Sequence, residues 1–181
     1  MLLTYSLNKE DYLEYFLYNS STNEKTKAKR RRNWLLLSLS FIFLTIIVFI
    51  ENYEYLKIPL TLLTLATVTL YPFYEKWQFK KYYTNYIDYN FSKRLNTASD
   101  LLINDTQIIL TDKTGETKLN KSELTEIIET GKYFYIGMST GGHILIPKYR
   151  LENITEIEKA TLLLSSEYKI PFKKDLNWRW K

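Results

Sequence analysis

His143 is the only histidine in the chain, and it stands beside Gly141-Gly142. An imidazole there could ligate a metal or carry a proton. Its sequence neighbours offer no second strong ligand, however, and the absence of cysteine removes thiolate nucleophiles, disulfides and cysteine-based zinc sites. Ser139, Ser165 and Ser166 stand in no motif that would activate a hydroxyl. Glu126 and Glu129 are three apart on an expected strand, so they point to opposite faces and cannot share a proton. Gly141-Gly142 leads into a strand, whereas a phosphate-binding loop would lead into a helix. The expectation is a protein that is not an enzyme and has no metal or cofactor. Lys148 and Arg150 straddle a strand end, where they could hold an anion; contact with another protein through a strand edge or an aromatic face is the favoured alternative.

Charge supports that preference. Residues 96–168 hold seven Lys/Arg against eleven Asp/Glu, so the excess of +5 over the whole chain sits elsewhere. Nucleic acid is therefore not an expected partner. Glu123, Glu126 and Glu129 are the candidate contacts for a basic protein, with Tyr133 and Tyr135 as candidate aromatic anchors.

The positive charge lies around two apolar runs of 17 residues each, 34–50 and 58–74. At about 1.5 Å rise per residue, each helix is long enough to cross a bilayer core once its interfacial flanks are added. The mean hydropathy of −0.28 hides both runs behind polar flanks. Lys29, Arg30, Arg31 and Arg32 precede the first run, and Lys76, Lys80 and Lys81 follow the second. The loop between them carries acidic and aromatic residues, with only Lys57 nearby. This asymmetry places both termini in the cytoplasm and brings cations to anionic headgroups. Trp34, Tyr53, Tyr55, Tyr74 and Trp77 fall where an aromatic belt would sit. Trp178 and Trp180, in a basic tail, either join that interface or pack on the soluble part. Ser38 and Thr45 on one run, and Thr61, Thr64 and Thr67 on the other, form small polar faces that meet inside the hairpin or in a homo-oligomer.

Five segments follow. Residues 1–33 comprise a short strand, a helix capped by Asn8 and a basic stretch. Tyr12, Tyr15 and Phe16 share a face of that helix, which either packs on the soluble domain or lies on the inner leaflet. Residues 34–74 are the hairpin, 75–95 a basic helical stalk, 96–170 a soluble domain and 171–181 the tail. Within 96–170, short β-rich runs separated by turns at 104–105, 112–115, 130–131 and 141–142 precede a helix capped by Asn153 or Thr155 and ending near Tyr168, with Thr155 and Glu158 fitting a capping box. The fold class is a two-helix transmembrane hairpin with an α+β domain, a small antiparallel sheet or barrel closed by the final helix.

This order of parts resembles the YcxB-like family of bacterial membrane proteins over nearly the whole chain. The resemblance rests on Tyr5-Ser-Leu-Asn-Lys-Glu-Asp-Tyr12, the basic run into the hairpin, and Tyr133-Phe-Tyr-Ile136 with Ile144-Leu-Ile-Pro-Lys148. It implies an inner-membrane location and a C-terminal domain similar to pleckstrin-homology-like domains, a curved barrel plugged by its helix. Where the family carries a Trp ahead of the aromatic strand, this chain has Ser122-Glu-Leu124. The expected role is protein interaction or regulation, the alternative being immunity against a membrane-acting or membrane-delivered toxin.

Overall fold

In the computed structural model, which describes residues 1–151 and 153–180, the chain forms two compact units. One joins Met1–Tyr15 to Asn85–Arg179; the other holds Phe16–Thr84 and Trp180. The chain thus leaves the first unit, forms the second, and returns.

The first unit begins with β1 (Leu2–Ser6), followed by α1 (Lys9–Thr22), whose opening turns belong to it. After α2 (Glu24–Ile50) and α3 (Glu54–Asn90) come β2 (Ala98–Ile103), β3 (Gln107–Asp112) and β4 (Gly115–Asn120). These three strands and β1 make an antiparallel sheet in the order β1-β2-β3-β4. Its first ladder pairs Leu2 with Leu102 and Ser6 with Ala98, and Asn96 N–H donates to Leu7 O at 2.8 Å. The expected boundary between 1–33 and 96–170 is therefore redrawn: the first strand completes a sheet whose other strands follow the hairpin.

A second sheet is built from β5 (Leu124–Thr130), β6 (Tyr133–Met138), β7 (His143–Pro147) and β8 (Phe172–Asp175), ordered β7-β6-β5-β8. Gly141 and Gly142 both take positive φ, which the tight β6–β7 turn requires. Of the two expectations for the tail, interfacial or packed, Phe172–Asp175 follow the second: they form β8, which pairs parallel with β5. The sheets are not closed into a barrel, which corrects that alternative, and the parallel pair makes the second sheet mixed. Ile127, Phe134, Ile136 and Ile146 are fully buried in it, while α4 (Ile154–Tyr168) buries Ile157, Thr161 and Leu164 at helical spacing. The helix begins at Ile154 with Asn153 as N-cap, so Thr155 lies inside the first turn and the expected Thr155–Glu158 capping box does not form. Thr155 Oγ1 instead donates to Asn153 Oδ1 at 3.2 Å.

In the second unit, α2 and α3 are both long and apolar enough to cross a membrane. The basic run 25–32 is helical and continuous with the first apolar run, and α3 carries the second apolar run through to Asn90 without interruption. Thr45 and Thr64 hydroxyls meet at 2.7 Å, and Trp34 Nε1 donates to Val68 O at 3.2 Å. Thr61 and Thr67, by contrast, bond back to Lys57 O and Leu63 O on their own helix. Thr45 with Thr64, Trp34 with Val68 and, beyond the apolar runs, Arg30 with Glu75 at 2.9 Å thus tie one helix to the other through polar atoms.

Candidate functional site

In the first unit Asp11 is a fully buried and heavily bonded carboxylate. Its position follows from a reciprocal cap at the start of α1: Asn8 Oδ1 accepts from Asp11 N–H at 2.9 Å, and Asp11 Oδ2 accepts from Asn8 N–H at 2.6 Å. The other bonds come from the second sheet and the turn after it. Tyr133 OH donates to Asp11 Oδ1 at 2.8 Å, Tyr149 OH donates to the same oxygen, and Arg150 Nη2 lies 3.3 Å from Oδ2. Arg150 Nη1 also donates to Ser6 O and to Ser6 Oγ at 2.7 Å. Two contacts on each oxygen use the full acceptor capacity of a carboxylate. Asp11 has no lone pair left for a metal, a substrate proton or a nucleophilic role; it is a clamp.

Burial, reinforced by the Asp11 hydrogen bond, holds the Tyr133 hydroxyl well above its ordinary value, and the same two causes raise Tyr149. Both phenols therefore remain protonated donors at neutral pH.

One turn further along α1, the Tyr15 hydroxyl hydrogen bonds His143 Nδ1 at 3.2 Å, and its ring packs against Tyr135 at 5.5 Å. His143 Nε2 faces Glu126 Oε1 at 3.5 Å, too far for a strong bond. Gly137 makes this geometry possible, because a Cβ there would lie 2.7 Å from Thr125 Oγ1 and 3.0 Å from Glu126 Cγ. Lys173 on β8 takes the other Glu126 oxygen at 2.7 Å. Among the described residues no group of three potential ligands gathers to hold a metal ion.

Burial lowers the His143 pKa from 6.5, against the opposing pull of Glu126. For Glu126, burial opposes ionisation, yet the hydrogen bond and charge of Lys173, with His143, hold the carboxyl below its usual value of 4.5. The unfolded chain therefore takes up a proton at His143 as pH falls below 6.5, and the folded chain resists it. The stabilisation from a neutral His143 is complete above that pH and declines below it. We expect the melting temperature of the full-length protein to fall between pH 7.5 and pH 5.5, and His143→Gln to flatten the decline. An unchanged slope in the variant would contradict this.

The residues expected to meet a partner are already occupied. Tyr133 and Tyr135 are 2% and 1% exposed, which corrects their reading as interface anchors: their shared face of β6 lies under α1. Glu129 is buried and bonds Lys148 at 2.7 Å, with Lys174 at 3.5 Å. Glu123 accepts from Asn120 Nδ2 at 3.0 Å. The acidic strand is thus neutralised by lysines of its own chain, two of them from the tail. Lys148 also lies over the Phe134 ring at 4.5 Å, and Arg150 is held by Asp11, so neither is free for an anion. Ser165 Oγ donates to Ile170 O at 2.6 Å and Ser166 Oγ to Leu163 O at 2.9 Å, both at the end of α4.

In the second unit, Tyr53, Tyr55, Tyr74 and Trp77 are exposed, with Tyr74 and Trp77 rings 6.0 Å apart and Lys81 over Trp77 at 5.0 Å. Trp180 packs on Phe79 at 5.9 Å, while Trp178, in the first unit, is half-buried after a turn closed on Asp175 O at 3.2 Å. Lys29, Arg31, Arg32, Lys80 and Lys81 are exposed, Lys76 is half-buried, and Arg30 bonds the buried Glu75 at 2.9 Å. Asp11 was missed as a site residue, although the Asn8-x-x-Asp11 spacing signals a reciprocal cap. Compared with protein-family models, curated proteins and solved structures, the chain has no match in any of the three.

Proposed function

We propose that this chain is a non-enzymatic protein of the bacterial inner membrane, in which a two-helix transmembrane hairpin interrupts a single cytoplasmic head that binds protein for a regulatory purpose. The observation that carries the reading is the pairing of β1 with β2 in register from Leu2–Leu102 to Ser6–Ala98. A ladder joining residues before the hairpin to residues after it requires both flanks to lie on one side of the bilayer. Two spans satisfy that requirement, and the basic clusters select the cytoplasmic side. Two four-stranded sheets, with α4 between β7 and β8, support a pleckstrin-homology-like head of the YcxB-like kind whose sheets stay open. The saturated Asp11 clamp favours a structural rather than a catalytic use of the buried polar groups. For a partner, the edge strand β4, with Glu116, Thr117 and Lys118 exposed, offers unpaired backbone for strand addition.

Topology is testable cleanly because the chain has no cysteine. A single cysteine at Glu51 should react with a membrane-impermeant maleimide on intact cells, and one at Ser92 only after permeabilisation. Labelling of the Ser92 position in intact cells would refute the orientation. The interaction is tested with a photoreactive residue at Thr117, which should yield a discrete adduct with a second protein. A captured toxin would make the head an immunity module; a regulator would make it a signalling one. The interaction reading fails if neither Thr117 nor a second probe on the exposed edge residue Lys118 gives an adduct.

A further inference from the structure

Between α2 and α3, where both helices emerge from their apolar spans, lies an open cleft of about 410 Å³. That volume falls within the range of small-molecule sites, roughly 300–1,000 Å³. Lys29, Arg30, Asn33, Tyr71, Gln78 and Tyr82 are among its lining residues. These are cationic or neutral hydrogen-bond donors, and the one acid beside them, Glu75, is neutralised by Arg30 at 2.9 Å. Among the described residues Lys29 has no ion-pair partner, and it is the uncompensated charge of the cleft.

Arg30 is held in an unusual way. Its Nε is committed to Glu75, and its guanidinium lies over the Phe79 ring at 5.3 Å and the Trp180 ring at 5.0 Å. Among the described residues, its two terminal nitrogens have no hydrogen-bonded acceptor. A guanidinium fixed by an ion pair and two aromatic faces, with its outer nitrogens open, is a preorganised fork for a phosphate. The depth agrees with such a ligand. Arg30 lies four residues before Trp34 and Gln78 four after Tyr74, each about 6 Å along its helix from the end of the span, which is where headgroups sit.

We propose that this cleft is a binding site for the phosphate of an anionic phospholipid, with the Arg30 fork and Lys29 on the phosphate and Asn33, Gln78 and the two tyrosines on the rest of the headgroup. The site rests on the transmembrane reading of α2 and α3, and the maleimide experiment on Glu51 tests that reading separately. It does not depend on what the head binds.

The test uses full-length protein in non-ionic detergent, titrated with dihexanoyl phosphatidylglycerol, dihexanoyl phosphatidylcholine or inorganic phosphate, with tryptophan fluorescence as the readout. Phosphatidylglycerol should bind saturably and at least about five-fold more tightly than phosphatidylcholine, the preference expected of a single well-placed cation. Lys29→Gln should remove that preference. Arg30→Lys, which keeps the charge facing Glu75 but loses the fork, should weaken binding about ten-fold. Lys25→Gln, the same charge loss outside the cleft, should change affinity less than two-fold. Gln78→Glu, an exposed near-isosteric change, puts an anion in the cleft without disturbing the helix and should weaken phosphatidylglycerol more than phosphatidylcholine. Equal losses for Lys25→Gln and Lys29→Gln would reduce the effect to diffuse surface charge and overturn the site. So would equal affinity for the two lipids. Displacement of the lipid by inorganic phosphate at comparable concentration would overturn the lipid assignment.

Discussion

Replacing Asp11 by Ala should destabilise the head by about 3–5 kcal/mol, the range found when one partner of a buried ionic contact is removed. The loss is large because four donors are stranded together: Asn8 N–H, Tyr133 OH, Tyr149 OH and the Arg150 guanidinium. Each buried donor without an acceptor costs about 1–3 kcal/mol, moderated here by the partial exposure of Tyr149 and Arg150. For a unit of this size the melting temperature should drop by roughly 10 °C or more. Tyr133→Phe should cost about 1–2 kcal/mol, since the phenyl ring still fills its buried place and only the hydroxyl is lost. In a double-mutant cycle, the Tyr133 change should cost far less in the Asp11→Ala background, because its acceptor is already gone. Additive losses would show that Asp11 and Tyr133 act independently and would remove the clamp from the account.

A second large effect is expected from the N-terminal strand. Tyr5 is 5% exposed, and truncating a buried aromatic residue typically costs about 3–5 kcal/mol, so Tyr5→Ala alone should consume much of a stability of about 5–15 kcal/mol. Deleting residues 1–6 removes the whole ladder to β2 and the Ser6 contacts of Arg150 as well. The deleted protein should lose cooperative melting of the head, and amide exchange at Ile108 and Leu110 on β3, which does not pair with β1, should approach the rate of an unfolded chain. Retained protection at those amides would mean that β2, β3 and β4 stand without β1.

The two long apolar helices were legible because their signal is a local pattern: two apolar runs with basic outer flanks and a short acidic loop. Most strands after residue 96 were legible for the same reason, since alternation and glycine turns act over a few residues, as at Gly141-Gly142. What escaped the sequence was pairing at a distance. Nothing near Leu2–Ser6 names β2 as its partner across the hairpin. The tail read as basic and aromatic, and only the β5–β8 register shows that Lys173 and Lys174 neutralise Glu126 and Glu129. Tyr133 and Tyr135 were correctly placed on one face of their strand, but the helix that covers that face lies more than a hundred positions earlier in the chain. The Asp11 clamp combines both cases, a local cap that the spacing signals and two distant tyrosines that it does not.

The central claim, that the head is one unit interrupted by the hairpin, is tested most directly by cross-linking β1 to β2 in membranes. Thr4 and Asp100 are register partners whose side chains hydrogen bond at 2.7 Å, and antiparallel partners have Cα atoms about 4.5–5.5 Å apart, within disulfide reach. With no native cysteine to compete, Thr4→Cys/Asp100→Cys should oxidise to an intramolecular disulfide in isolated membranes, seen as a mobility shift reversed by reductant. Moving one cysteine to Thr117 on β4, at the far edge of the sheet, should abolish the cross-link. Cross-links forming only between molecules, or none at the Thr4–Asp100 pair, would contradict the single interrupted head.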